Sequence, residues 1–369
     1  MLPVEKNTVR SIRMLGAEAA VRAMESSGID RPEAFYLSNL MADELQNQKH
    51  TAALIADQAG FREIEAIEVR AATASGAAAF HTAVLAIASG YFDVVIAVGV
   101  EKMSEGNATP VLAKNLDAVR EVPSGGTMVS MNAKIMEFYL ARFGVEYKRF
   151  SGFAVNAHAN AAKNPLALFQ SEITGEDVAN ARMIHSPIRL FDCAPVCDGA
   201  AAVVLVSEKY AVRNKSVRIS ASAVATDRFA VKDREDPVDL AASRISAKQA
   251  YSQANLGPED ISFFELHDAF SIMSCLALEA CGFASRGEGW KLASSGEIFP
   301  GGRIPISTMG GLKGRGHPIG ATALYQAGEI FLQLTEKAGP NQIDGAKRAL
   351  TQSIGGAGTT ILTHILEKY

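Results

Sequence analysis

Four short stretches hold the residues best suited to chemistry at a carbonyl. In "VRAATASGAAAFHTA" (69–83) a strand-like run gives way to a helix at Thr73, followed by a series of small residues. Backbone N–H groups at a helix start lack intrahelical partners and favour negative charge, so the turn suits a nucleophile or an oxyanion. In "TMGGLKGRGHPIGA" (308–321) glycines surround His317 and let the backbone approach a ligand closely. The stretch lacks the Gly-Lys-Ser/Thr ending of a phosphate loop, which leaves His317 as a base or as an ordinary capping histidine. "FFELHDAFSI" (263–272) sets His267 and Asp268 just beyond a buried strand, where polar groups reach clefts, although a core histidine bonded to Asp268 or a carbonyl would read the same. "QSIGGAGTTILTHIL" (352–366) places Gly355 in a tight turn that offers N–H donors to an oxyanion or simply reverses the chain. Histidines 50, 81, 158, 185 and 364 have no such surroundings and read as structural.

The elements that must position these residues occur twice. "TVRSIRMLGAEAAVRAMESS" (8–27) has helical periodicity, is stopped by Gly28 and leads into the strand-like "RPEAFYLSN". "AASRISAKQAYSQANLGPEDISFFELHDAF" repeats that order. A second pair matches without a gap: setting Gly76 on Gly320 puts Ala77 on Ala321, Ala79 on Ala323 and Thr73 on His317. Both helices are small and apolar all round, which implies burial on every side. Each helix is expected to be followed by a strand, "FDVVIAVGV" after the first and, past a longer insertion, "AGTTILTHIL" after the second. The pattern predicts two related α/β halves, 1–210 and 216–369, with 104–195 a mainly helical insertion or lid in the first. Two helix starts related by a pseudo-twofold would bring Thr73 and His317 together, with Pro318 at the first helical position.

Composition bounds the rest. The 369 residues are 48% hydrophobic and 21% charged, with net charge −4 and no basic block, which does not fit a nucleic-acid or anionic-membrane protein. Apolar runs are too short to span a bilayer, and no signal peptide is read before the first helix. The four cysteines (193, 197, 275, 281) lack zinc-ribbon spacing and read as buried thiols in a reducing cytoplasm, with no metal site.

Together "ASG" opening a buried helix, "HDAF", "GGLKGRGHPIGA" and "IGGAG", with "GVEKMS" and "RLFDCAPVCDGAAAVVLVSE", resemble the thiolase superfamily along the whole chain. The His-Asp-x-Phe form is most similar to the sterol-carrier-protein-type and archaeal thiolases. The resemblance implies a thiolase-like fold, two related five-layered α/β halves with an inserted loop domain, no metal or redox cofactor, and a coenzyme A thioester as substrate. It implies a homodimer or homotetramer, and in this subgroup a small zinc-ribbon/OB-fold protein partner. It also implies roles: position 73 for the acyl-accepting nucleophile, His317 for the base that activates it, His267 for the hold on the thioester oxygen, and Gly355 with the N–H of residue 73 for the second oxyanion hole.

Three departures qualify it. Thr73 stands where the family has a nucleophilic cysteine, and a neutral β-branched alcohol is a far poorer nucleophile than a thiolate. Ser353 and Ala269 occupy the two places where the family can carry an acid/base cysteine. Met1-Leu2-Pro3 enters at a turn that relatives reach through a buried first strand, so a missing first strand is expected. Three functions follow: an acetyl-CoA acetyltransferase-like acyl-CoA enzyme, a lyase that splits a CoA thioester by retro-aldol chemistry without an acyl-enzyme, or a non-catalytic acyl-CoA-binding subunit. CoA contacts are expected from the insertion, with Lys134, Lys148, Arg149 and Arg182 as candidates for the phosphates.

Overall fold

Strand β1 (Ala34–Ser38) is buried at every position, and so is β3 (Val94–Lys102), which calls for layers on both faces. The computed structural model, which describes residues 1–369, supplies them. β1 runs parallel to β2 (Glu65–Glu68) on one side and to β3 on the other. A small ribbon, β4 (Met183–His185) with β5 (Ile188–Arg189), lies in the insertion. β6 (Asp198–Val206) closes the first sheet antiparallel to β3, in the order β2-β1-β3-β6.

The second sheet follows the same plan. It contains β7 (Val217–Thr226), β8 (Phe263–Glu265), β9 (Arg348–Gly355) and β10 (Thr360–Lys368), in the order β7-β10-β9-β8. β8 is parallel to β9, and β10 is antiparallel to both β9 and β7. Ile306 bridges Phe264 in the place that β2 takes in the first half. At the other edge, residues 2–5 pair with Asp198–Ala200 where β7 lines β10 along its whole length. Each half is thus a mixed sheet with helices layered about it.

Helices Ser75–Ala88 and Thr322–Leu334 occupy the middle layer. Their starts touch at the two residues the sequence pairs: a Cβ on Gly76 would lie 2.8 Å from the Gly320 carbonyl oxygen, too close for any side chain. Between β3 and β6 the chain is mostly helical, with helices Ala108–Ala113, Met128–Phe143, Ser151–Ala161 and Gly175–Asn180. No helix is long and apolar enough to cross a membrane.

Two expectations need correction. The strand following the second central helix is β9; "AGTTILTHIL" forms the next one, β10. β9 reads as polar because Thr351, Gln352 and Ser353 are buried among partners from afar; Gln352, for example, accepts from Ser243 Oγ at 2.5 Å and donates to Thr363 Oγ1 at 2.9 Å. Pro318 is not the first helical residue. It is extended (ψ 99°), a 3-10 turn follows, and the α-helix begins at Thr322. A tertiary bond takes the acceptor an earlier start would use, the Gly320 carbonyl, which accepts from Ser38 Oγ; the Gly320 N–H, which any helix start leaves free, donates to Glu101 Oε2 at 3.0 Å.

Candidate active site

Thr73 sits two residues before the central helix, on a turn made by Ala72 at φ +50°. A non-glycine residue there is strained, a cost that surrounding contacts must offset. Ser75 holds the turn closed: its hydroxyl donates to Ala72 O at 2.6 Å and accepts the Ala71 N–H at 2.9 Å. The Thr73 hydroxyl is occupied as well. It donates to Ile354 O at 2.6 Å and accepts the Gly356 N–H at 3.2 Å. Its own backbone N–H donates to no protein group.

His317 follows the second glycine turn. Its N–H donates to Cys197 Sγ at 3.1 Å, and its Nδ1 lies 2.6 Å from Thr322 Oγ1. That hydroxyl also contacts Pro318 O at 3.2 Å. One hydroxyl proton cannot serve both contacts, so both are hydrogen bonds only when His317 carries its proton on Nδ1 and Thr322 donates to the carbonyl. Nε2 is then an unprotonated base.

His267 is carried just past β8, where the backbone is clamped. Gln326 Nε2 donates to the carbonyls of Glu265 and Leu266 (3.1 and 2.9 Å), and Lys313 Nζ donates to Asp268 O at 2.7 Å. Asp268 does not bond to His267; its Oδ1 accepts the Leu312 N–H at 2.7 Å. His267 Nδ1 is buried without a partner. A bare lone pair there is less costly than an orphaned N–H, which favours the proton on Nε2.

The two imidazoles meet edge to face, with ring centroids 5.1 Å apart. With Thr73 they line one cleft that encloses ≈ 790 Å³ of empty space, part of it open to solvent. Burial, then Lys313 and Arg315, pushes His267 down to about 3. Burial, then His267 and Arg315, holds His317 well below the usual imidazole value. Both rings are therefore neutral at physiological pH, one able to accept a proton and the other to donate a hydrogen bond.

The fourth sequence candidate differs. Gly355 does not line the cleft; it packs against Ala71 O, and Gly356 reaches the wall with its N–H already on Thr73. Lys134, Lys148, Arg149 and Arg182 are exposed and none lines the cleft. Lys148 pairs with Glu146, and Arg149 lies over the Trp290 ring. The insertion does supply the apolar wall through Leu112, Met128 and Val129, beside Phe270 and Met273 from the second half. Sequence reasoning missed Asn132, the positioning hydroxyl of Thr322, the buried Lys313 and Arg315, and Cys193, which shares the cleft with both histidines. His81 and His364 lie elsewhere, sharing the Ser222 hydroxyl at 2.6 and 2.9 Å. No three His, Cys, Asp or Glu side chains converge as a metal centre.

Residues 5–209 match the family model for the thiolase N-terminal domain, and residues 223–368 match the one for the thiolase C-terminal domain-like unit. The chain belongs to the thiolase family. Among curated thiolase relatives, the acetyl-CoA acetyltransferase of Methanothermobacter thermautotrophicus is 39% identical over 363 residues, covering 97% of this chain and 95% of that one. The benzoylsuccinyl-CoA thiolase subunit BbsB of Thauera aromatica is 31% identical, covering 93% and 90%. The solved structure of the Ltp2-ChsH2(DUF35) aldolase superposes with a TM-score of 0.86 at 24% identity, over 99% of this chain and 95% of that one. That likeness bears on the fold.

Proposed function

We propose that this thiolase-family protein acts on acyl-CoA thioesters, cleaving or forming the bond between their α- and β-carbons through an enolate, without an acyl-enzyme. The observation that carries this reading is the Thr73 hydroxyl, whose proton goes to Ile354 O. A nucleophilic alcohol must hand its proton to a base as it attacks, and here that proton is directed to a backbone carbonyl. The groups an enolate route needs are all compatible with the geometry. His317 Nε2 takes the β-hydroxyl proton of a 3-hydroxyacyl-CoA, the carbon–carbon bond breaks, and an aldehyde or ketone leaves. The negative charge passes to the thioester oxygen, which accepts from His267 Nε2–H; the free Thr73 N–H is a second donor at the helix start. The superposed structure bears the name of an aldolase, which agrees with this direction.

Acyl transfer is the second reading, favoured by the 39% identity to an archaeal acetyl-CoA acetyltransferase. It requires Thr73 to release Ile354 and turn towards His317. Incubation with a 3-hydroxyacyl-CoA alone, against a 3-oxoacyl-CoA plus free CoA, separates the two. Release of a carbonyl product and acetyl-CoA from the first supports the lyase; CoA-dependent cleavage of only the second supports acyl transfer. A zinc-ribbon/OB-fold partner belongs to the same proposal, supported by the DUF35 component named together with the superposed aldolase.

A further inference from the structure

The enolate route, on which this inference rests, leaves open which group delivers a proton to the enolate carbon. Cleavage moves the β-hydroxyl proton to His317, and the enolate carbon must then gain a proton of its own. Thr73 donates to Ile354, the His267 N–H is held by the oxyanion, and Lys313 donates to Asp268 O. Thr109, the other hydroxyl on the wall, sits exposed at the rim.

Cys193 is differently placed. Its segment runs antiparallel to the turn that carries His267: Ala194 N–H donates to Ala269 O at 2.9 Å, and Cys193 bridges Phe270. The half-buried thiol thereby reaches the wall shared by Thr73, His267 and His317. Its one protein acceptor, Arg189 O at 3.7 Å, is distant and holds it weakly. We propose that Cys193 is the catalytic acid that protonates the enolate carbon and, in reverse, the base that removes the α-proton.

The step balances. The S–H bond breaks, its electron pair stays on sulfur, and a C–H bond forms at the enolate carbon. The His317 imidazolium, holding the former β-hydroxyl proton, then reprotonates the thiolate, so no net proton is gained or lost. The surroundings suit both forms of the sulfur. Burial, then Asp192, pushes the thiol up to about 12, which keeps it protonated until needed. The buried Lys313 ammonium acts in the opposite sense and stabilises the transient thiolate. The segment "RLFDCAPVCDGAAAVVLVSE", which motif reasoning left without a chemical role, acquires one.

Exchange of the acetyl-CoA methyl protons in D2O, read by mass spectrometry, tests this without any need for C–C cleavage. The natural protein is expected to incorporate deuterium, and Cys193→Ala and Cys193→Ser to lose at least ~100-fold in rate, the low end for a general acid–base group. Both should bind acetyl-CoA with unchanged Kd, which a merely structural role would not predict. Iodoacetamide should modify Cys193 ahead of the buried Cys197, Cys275 and Cys281 and stop exchange in step. Wild-type exchange rates in both variants, or in protein alkylated at Cys193, would overturn the proposal alone. If the natural protein exchanges no methyl protons, the enolate reading falls and the proposal with it.

Discussion

Thr73→Val tests whether the threonine hydroxyl holds the site together or reacts. Valine keeps the β-branch but deletes the hydroxyl, which makes two internal hydrogen bonds, from a residue only 8% exposed. The Gly356 N–H then has no acceptor, at a cost of about 1–3 kcal/mol for a buried orphaned donor, and the lost bond to Ile354 O adds about 1 kcal/mol. The sum is about 2–4 kcal/mol, before any steric cost of placing a methyl 2.6 Å from a carbonyl oxygen. At roughly 2 °C per kcal/mol for a chain of this size, the melting temperature should fall by about 4–8 °C. Thr73→Ser preserves both bonds and should melt within about 1–2 °C of the natural protein. Thermal melts of the two variants side by side, followed by dye binding and by circular dichroism, make the comparison. If Thr73→Val melts together with Thr73→Ser, the hydroxyl does not fasten the Ile354–Gly356 turn and the structural role assigned to it is wrong.

Thr322→Val should remove the acceptor that keeps His317 protonated on Nδ1, lowering kcat by about 10–100-fold with KM nearly unchanged; an unaltered kcat would show that the tautomer is set elsewhere. His317→Ala should lower turnover by about 10²–10⁴-fold while CoA binding, followed by calorimetry, persists. The pH dependence follows from the sign of the histidine shifts. Both imidazoles are held below the usual value near 6.5, so the neutral forms that the chemistry needs persist as pH falls through 6.5. Plotted against pH, kcat/KM should stay flat there and decline only at lower pH; a midpoint at about 6.5 would mean that at least one ring is solvated.

The sequence announces the central layer clearly. Small apolar residues around Gly76 and Gly320 let the two helix starts pack directly, and those glycines are in contact there. The second helix is buried along most of its length, but the first, expected to be buried all round, leaves Leu85 exposed near its end. The glycine context of His317 and the strand-end position of His267 likewise point to one cleft, where the two rings lie 5.1 Å apart. What escapes a linear reading depends on partners far along the chain. β9 hides because Gln352 and its polar neighbours are satisfied by Ser243 and Thr363, so burial leaves no apolar alternation. The true start of the second central helix depends on Ser38, whose hydroxyl takes the Gly320 carbonyl, an acceptor far away in the chain that no local pattern announces. Lys313 and Arg315 look like solvated loop charges, yet both are fully buried, Arg315 against Glu329 at 3.2 Å and over the Tyr325 ring. Cys193 belongs to no spacing motif; only the pairing of residues 193–194 with 269–270 brings it to the histidines.

The central claim is that carbon–carbon bond chemistry proceeds here without acylation of the protein. Intact-protein mass spectrometry during turnover of 3-hydroxyacyl-CoA and 3-oxoacyl-CoA substrates, with rapid acid quenching and peptide mapping, addresses it most directly. The account predicts product formation while the protein mass stays unchanged throughout. An acyl adduct mapped to Thr73, formed and discharged at the rate of turnover, would contradict it.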